Sequence, residues 1–375
     1  MIYFDNSATT PLCAEAEKEL ICCIEENWGN PSSLHALGLK AEMLLEETRS
    51  ALSGVLQCRN DEIFFTSGGT QANNIAVIGA AKSRARLGKT VITTSIEHPS
   101  VSKCFDELEK QGFNVIRLSS DRYGMISLDE LEKALSGDVI LVSMMLVNNE
   151  LGTVLPIKEA VRLTKSIAKN AVFHCDAVQA FGKLPVRVRD LGVDLLSVSG
   201  HKIHAPKGAG ALYVKKGTKI DSPVFGGGQE KEIRSGTEPM PAIAGLKGAL
   251  KALDTAGSYK KVSAIKERLV SLLGEIDGVV INSSPDSIPY IMNISLPGYP
   301  SEVILNAFSE KGIYVSAGSA CAKGNKSPVL SAAGLEGRII DSSLRLSFSR
   351  FNEESQADEF VEELKKAMKN IRVKP

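Results

Sequence analysis

Short apolar, β-branched runs alternate with helical patterns through the middle of the chain. Between the runs, apolar residues recur every three or four positions, a spacing typical of helices that pack on a sheet. Such an alternation predicts βαβ units and a mostly parallel sheet. The seven predicted strands are residues 62–66, 90–94, 114–118, 139–147, 171–175, 194–198 and 210–214. The helical patterns include residues 70–87, 128–135 and 158–169.

The pattern changes after Gly226-Gly227-Gly228. Helical periodicity then leads, followed by further short strands and a final amphipathic helix from residue 353. We therefore expect an α/β fold with a seven-stranded, mostly parallel sheet flanked by helices, plus a smaller α+β domain. The expected large domain is residues 16–255, and the small domain combines residues 1–15 and 256–375.

Charge and apolar content exclude several classes of protein. The 44 Lys and Arg residues balance 44 Asp and Glu residues, so no basic surplus favours direct binding of nucleic acid. No window approaches the ~18 apolar residues that a membrane span needs, and the first residues lack the features of a signal peptide. A cytoplasmic location is expected. Seven cysteines without a C-x-x-C pair indicate neither a disulfide framework nor a zinc ribbon.

Polar motifs follow the predicted strands, where ligands gather in open α/β sheets. Thr66-Ser67-Gly68-Gly69-Thr70 comes after one strand and opens a helix, so its free N–H groups could bind a phosphate. The same letters also suit a simple glycine turn with a capping threonine. Ser199-Gly200-His201-Lys202 follows another strand, and a lysine in a poorly solvated pocket can bond to an aldehyde. An exposed loop lysine is the alternative.

Three further residues carry candidate chemistry. Asp176 ends a predicted strand, where its carboxylate could either hold a pyridinium N–H or cap a helix. His98 precedes a proline at a predicted helix start, and it could stack on a ring or move protons near neutral pH. Cys321 lies among small and polar residues with lysines nearby, a setting typical of an exposed, reactive thiol. An incidental surface cysteine is the alternative reading.

Taken in order, these motifs resemble the NifS/IscS-type cysteine desulfurases, which are class-V, fold-type-I enzymes that use pyridoxal 5'-phosphate. The resemblance covers nearly the whole chain. Besides the motifs above, it rests on residues 5–11, 29–35, 66–74, 97–98, 148–150, 176–179, 226–237, 319–321 and 344–347.

The resemblance implies a role for each matching residue. Lys202 resembles the lysine that joins the cofactor, His98 the residue stacked on its ring, and Cys321 the cysteine that forms a persulfide. The residues implied in cofactor binding are Gly69, Thr70, His98, Asn149, Asp176, Gln179, Ser199, His201, Lys202 and, from the other subunit of a homodimer, Thr237. Asn30 and Arg345 resemble substrate-binding residues, and an arginine fork suits a carboxylate.

The implied reaction converts L-cysteine to L-alanine and passes sulfur through Cys321 to an acceptor protein. That acceptor is either an iron–sulfur scaffold or a sulfurtransferase of tRNA thiolation. No metal is expected, except that Cys321 could ligate an iron–sulfur cluster. Selenocysteine lyase or another class-V aminotransferase is the alternative activity. A non-catalytic docking protein on the same fold is less consistent with the intact Lys202, Asp176, His98 and Cys321.

Overall fold

A computed structural model describes residues 1–317 and 326–371 of the chain. The strands are β1 (Ile2–Tyr3), β2 (Ile63–Thr66), β3 (Thr90–Thr94), β4 (Asn114–Leu118), β5 (Val139–Met145), β6 (Val172–Asp176), β7 (Leu195–Ser199), β8 (Gly210–Val214), β9 (Val280–Ile281), β10 (Ile291–Ser295), β11 (Ile313–Tyr314), β12 (Ser316–Ala317) and β13 (Ser343–Ser347).

Helices alternate with the strands of the first half and dominate after residue 239. They are α1 (Ala14–Glu26), α2 (Ala36–Leu56), α3 (Gly69–Arg84), α4 (Pro99–Lys110), α5 (Leu128–Ala134), α6 (Ile157–Ile167), α7 (Val188–Leu191), α8 (Met240–Lys251), α9 (Thr255–Leu273), α10 (Ser301–Glu310), α11 (Pro328–Ala332), α12 (Gly337–Asp341) and α13 (Ser355–Asn370). None of these helices is both long and apolar enough to cross a lipid bilayer.

The large sheet has seven strands in the order β2-β8-β7-β6-β5-β3-β4. Strand β8 is antiparallel to both of its neighbours, and the remaining pairs are parallel. Every residue of β5, β6 and β7 is buried because helices cover both faces, which explains their nearly continuous apolar sequences. The predicted seven-stranded, mostly parallel α/β sheet is confirmed.

Strand β5 ends two residues earlier than its apolar run predicts. After Met145 the backbone N–H of Leu146 bonds to the Asp176 carbonyl, and Val147 forms an isolated bridge with Val154. The chain therefore turns back on itself while its side chains stay buried. Because burial continues past Met145, the apolar run in the sequence is longer than the strand.

The C-terminal half builds a second, four-stranded sheet in the order β12-β13-β10-β9, with antiparallel pairs throughout. The N-terminus joins this half of the molecule, because β1 pairs with β11 and Asp5 bridges Ser347. Arg345 lies at the centre of β13, opposite Asn293 on one side and Ser316 on the other.

A buried histidine in the large sheet makes the free energy of unfolding depend on pH. His174 on β6 is fully buried between the hydroxyls of Ser143, at 2.8 Å, and Ser197, at 3.0 Å. Burial lowers its pKa from 6.5 to about 3. Between these two values the unfolded chain binds a proton that the folded chain does not, so the free energy of unfolding falls as pH drops below 6.5.

We expect His174→Gln to flatten this pH dependence. Between about pH 7.5 and pH 5, the variant should lose about 2 kcal/mol less stability than the wild type, at about 1.4 kcal/mol per pH unit below 6.5. Urea unfolding at both pH values measures the difference. His35→Asn is the control, since His35 is exposed and asparagine keeps its helix-capping role. Parallel pH curves for wild type and His174→Gln would contradict the assignment.

Candidate functional site

A pocket that encloses about 1060 Å³ of empty space lies at the carboxyl ends of β5, β6 and β7. Parallel strands bring these ends together, so residues distant in sequence become neighbours. Nine residues predicted from the sequence line it: Gly69, Thr70, His98, Asn149, Asp176, Gln179, Ser199, His201 and Lys202. The structure thus gathers into one place the residues that the motifs predict for a single ligand.

One end of the pocket suits an anion. Helix α3 begins here at Gly69, so its unpaired N–H groups and the positive end of its dipole face the pocket. Gly68 has φ 149°, a conformation that favours glycine. The Ser199 hydroxyl at the end of β7 is buried and has no hydrogen-bond partner among the described residues. A phosphate group would supply the partner that this hydroxyl lacks.

Asp176 occupies the deep wall of the pocket at the end of β6. One carboxylate oxygen accepts the Val178 backbone N–H at 2.9 Å, and the other accepts the Asn73 side-chain amide at 2.7 Å. Burial raises the pKa of Asp176. A cationic ring N–H placed against this carboxylate would favour its ionised form.

His98 caps helix α4 beside Asp176. Its Nδ1 accepts the backbone N–H of Ser100 at 3.1 Å and lies 2.8 Å from the Ser100 hydroxyl. Burial is the main cause that lowers the pKa of His98, so its ring is neutral at pH 7. A neutral ring held at its Nδ1 edge is suited to stacking on a flat ligand.

None of the roles predicted from the sequence falls on Asn73, which connects these two residues. Its amide nitrogen donates to Asp176 at 2.7 Å and to the Ser100 hydroxyl at 2.9 Å. Asn73 comes four residues after Gly69, on the same face of α3. That spacing is a signal by which the sequence could have placed it in the site.

Lys202 follows β7 in a short 3₁₀ turn, Gly200–Lys202. Its Nζ donates to the backbone carbonyls of Ser7, at 2.5 Å, and Ala8, at 2.7 Å. His201 lies 3.2 Å from the Thr9 hydroxyl through Nδ1. Burial first, and the Lys202 charge second, lower the pKa of His201 to about 4. Residues 7–9 therefore hold Lys202 and His201 in place through hydrogen bonds.

Arg345 reaches the site from β13 of the smaller sheet. Its guanidinium donates to Asp5 Oδ1 at 2.9 Å and to the Asn149 carbonyl at 3.2 Å. Its Nε is buried and has no partner among the described residues. Since Asn149 lines the pocket, the guanidinium of Arg345 lies at the pocket's edge. The smaller sheet thus contributes a cation to a site built by the large sheet.

Three of the predicted residues that the structure describes do not line the pocket, and Arg345 at its edge is one of them. Asn30 and Thr237 are exposed and do not line it. Cys321 lies outside the described residues. The described residues before and after the Cys321 segment contact elements of the site. Before it, β12 pairs with β13 at Arg345. After it, the Ser327 hydroxyl donates to Glu150 at 2.5 Å.

Comparison with known proteins agrees with this geometry. Residues 2–360 match the model of the family described as Aminotransferase class-V. The chain belongs to the class-V aminotransferase family. It is 40% identical to cysteine desulfurase IscS of Methanosarcina thermophila, a match that covers 99% of this chain and 93% of that protein.

Solved structures show the same similarity. The chain superposes on a NifS-like protein with a TM-score of 0.94 at 35% identity, covering 99% of this chain and all of that one. It also superposes on a structure named SspA in complex with cysteine, with a TM-score of 0.83 at 31% identity, covering 94% of this chain and 100% of that one. These matches confirm the resemblance and the fold class that it implies.

The residues present fit pyridoxal phosphate, the cofactor implied by the family. A helix N-terminus with a partnerless Ser199 hydroxyl suits the phosphate, and the Asp176 carboxylate, at the deep wall, suits the pyridine nitrogen. Lys202, lining the same pocket, suits the aldehyde. One pocket thus offers an appropriate group for each reactive part of the cofactor.

A substitution at Gly69 tests whether the N-terminus of α3 binds the phosphate of the cofactor. A Cβ added at Gly69 would lie 2.6 Å from Val178 Cγ2, so either the Val178 side chain or the start of α3 would have to move within the anion end of the pocket. We expect Gly69→Ala to raise the Kd for pyridoxal phosphate about tenfold or more, the equivalent of about 1.4 kcal/mol. Equilibrium titration of the apoprotein measures this change. Gly54→Ala is the control, since its Cβ would meet open space; equal Kd values for the two variants would contradict a phosphate at this helix end.

Proposed function

We propose that this family member is a cysteine desulfurase, which converts L-cysteine to L-alanine and places the released sulfur on Cys321. The observation that carries the proposal is the single pocket that holds Lys202, Asp176 and His98 next to an anion-binding helix end. The full-length similarity to a cysteine desulfurase and to a structure that contains cysteine supports the choice of substrate.

Each pocket residue has a proposed task toward the cofactor. Pyridoxal phosphate, when bound, supplies an electron sink for the substrate's α-carbon. Asp176 holds the ring nitrogen in its protonated form, and His98 stacks on the ring. The phosphate is held by Gly69, Thr70, Ser199 and His201, and the ring hydroxyl is contacted by Asn149 and Gln179.

The remaining residues act on the substrate. Arg345 and Asn30 bind it, and the Arg345 fork holds its carboxylate. The Lys202 amine takes the α-proton. The Cys321 thiolate attacks the substrate sulfur, so that the carbon–sulfur bond breaks as a sulfur–sulfur bond forms. Cysteine and one enzyme thiol thus become alanine and one enzyme persulfide, without an added oxidant or reductant.

The surface of the chain supports a homodimer. Large apolar side chains are exposed on α1 and α2, in the loop between them and in the loop before Thr237: Ile21, Ile24, Trp28, Leu34, Leu39, Met43 and Phe225. A concentration of this kind marks a protein interface. In the proposed dimer, Thr237 of one subunit reaches the phosphate of the other, which is consistent with its absence from its own subunit's pocket.

We also propose the division into a large domain, residues 16–255, and a small domain, residues 1–15 and 256–375. The pairing of β1 with β11 and the separate four-stranded sheet support it. The persulfide sulfur passes to an iron–sulfur scaffold or to a sulfurtransferase of tRNA thiolation, in the cytoplasm. The residues that carry the proposed reaction are compatible with both acceptors.

The test is product analysis with the purified enzyme loaded with pyridoxal phosphate. L-Cysteine should yield alanine and, with a thiol reductant present, an equal amount of sulfide. L-Selenocysteine supplied at the same concentration tests the alternative activity. Alanine formed from selenocysteine alone would replace the proposal with a selenocysteine lyase, and the formation of no alanine from either substrate would reject both activities.

A further inference from the structure

Lys183 is a buried lysine behind the pocket, and none of the sequence motifs identifies it. It follows Gly182 in the tight turn after β6, and only 5% of the residue is exposed. Its Nζ donates to Gln179 Oε1 at 2.8 Å and lies 5.9 Å from the centre of the Tyr290 ring. Burying an amine this completely is costly, and among the described residues Gln179 is the one acceptor bonded to it, an arrangement that calls for an explanation.

The contact with Lys183 fixes the orientation of the Gln179 side chain. In its ammonium form Lys183 donates hydrogen bonds and accepts none, so the amide oxygen of Gln179 faces it. The amide nitrogen then donates to the Ser7 carbonyl at 3.0 Å. That carbonyl also accepts Lys202 Nζ at 2.5 Å. A continuous set of hydrogen bonds therefore runs from Lys183 through Gln179 and Ser7 to Lys202.

Lys183 lies on the far side of Lys202 from the cofactor pocket. Lys202 lines both that pocket and a second cavity behind it, whereas Lys183 lines only the second cavity, and Gln179 lines only the pocket. The ionisable groups that share the second cavity with these lysines are His204, Asp254, Tyr290 and Arg350. Any influence of Lys183 on the cofactor must therefore act through Gln179 or through its charge.

The electrostatic surroundings of Lys183 reinforce this arrangement. Burial, followed by the charges of Lys202 and Arg345, lowers the pKa of Lys183 to about 7. Electrostatic coupling is reciprocal, so a charged Lys183 in turn opposes a charge on Lys202. It also favours the ionised form of any acidic group placed near Gln179.

We propose that Lys183 is a positioning residue, which holds Gln179 so that an N–H donor, and not the amide oxygen, faces the ring hydroxyl of the cofactor. This inference rests on the proposed function, because it assigns a task to Gln179 at pyridoxal phosphate. The donor stabilises the ionised form of that hydroxyl, and the Lys183 charge acts in the same direction.

The experiment compares Lys183→Met, Gln179→Ala and the double variant, each loaded with pyridoxal phosphate. Absorbance spectra of the bound cofactor are recorded across pH, and cofactor Kd is measured by titration of the apoprotein. Each single variant should move the spectroscopic midpoint to higher pH by at least half a unit, since a hydroxyl that loses its donor holds its proton more tightly. Each should also weaken cofactor binding several-fold.

The double variant separates positioning from a general structural effect. If Lys183 acts through Gln179, the double variant should show the midpoint of Gln179→Ala, with at most a small further shift. Shifts that add up, or no shift in Lys183→Met, would overturn the proposal. Lys266→Met is the control: Lys266 is half-buried, its pKa is also lowered by burial, and its ammonium contacts Ser287 outside the pocket.

A second variant covers the case in which Lys183→Met does not fold, as checked by urea unfolding of the apoprotein. Gln179→Glu keeps an acceptor for Lys183 but replaces the N–H donor with a carboxylate oxygen, and both the lost donor and the added negative charge favour the protonated hydroxyl. It should move the midpoint in the same direction, and an unchanged midpoint would overturn the proposal. A wild-type protein that binds no pyridoxal phosphate would instead reject the proposed function, so the two failures are distinguishable.

Discussion

Lys202→Ala is expected to form alanine from L-cysteine at least about 10³-fold more slowly than the wild type. General base catalysis by a positioned side chain contributes roughly 10²–10⁴-fold, and this variant also loses the covalent link to the cofactor. The pocket should still bind pyridoxal phosphate, because Ser199, Asp176 and His98 remain in place. We therefore expect loss of rate with an intact site.

Two measurements check this expectation. Borohydride reduction followed by peptide mass analysis should find the cofactor attached at position 202 in the wild type and nowhere in the variant. Steady-state alanine formation gives the rate. Lys216→Ala is the control, since Lys216 is exposed and does not line the pocket. A Lys202→Ala enzyme that keeps more than about a tenth of the wild-type rate would show that another group takes the α-proton.

Cys321→Ser should reduce reductant-dependent sulfide release at least about 10²-fold, because a serine hydroxyl is not ionised at neutral pH and cannot accept sulfur as a persulfide. The spectral change on adding L-cysteine should persist, since it depends on Lys202 and the pocket. Stopped-flow absorbance and sulfide assays on the same preparation separate the two steps.

Cys22→Ser is the matched control for this variant. Cys22 is only half-buried on α1 and lies outside the pocket, so its loss should leave sulfide release unchanged. If Cys321→Ser releases sulfide at the wild-type rate, Cys321 is not the sulfur acceptor. Loss of the spectral change as well would place Cys321 in substrate binding.

The sequence predicts the strands of the large sheet well because most of them are buried on both faces, although the edge strand β4 is partly exposed. Residues 90–94, 114–118 and 210–214 form strands with the predicted bounds. The sequence indicates the start of helix α4 at His98 and Pro99 but does not give its end, although its buried apolar residues recur with helical spacing as far as Leu108.

Some residues of the candidate site could be predicted from the sequence, and others could not. Residues that follow strands could be predicted, since topology brings the carboxyl ends of parallel strands together. Asn73 and Lys183 could not, because their importance arises from contacts across the fold: Asn73 with Asp176, 103 positions away, and Lys183 through Gln179 with Ser7. A polar residue inside a helix or turn acquires such a role only when its partner's position is known.

The N-terminal residues that bind Lys202 and Arg345 limit how far the chain can be shortened. Asp5 pairs with Arg345, Asn6 and Ser7 bond to Ser347, and the Ser7 carbonyl accepts the Lys202 amine. Shortening the chain past Tyr3 would thus disturb the proposed substrate clamp and the reactive amine together. Met1 is almost fully exposed, so fusion partners can precede it, whereas trimming the following residues should inactivate the enzyme.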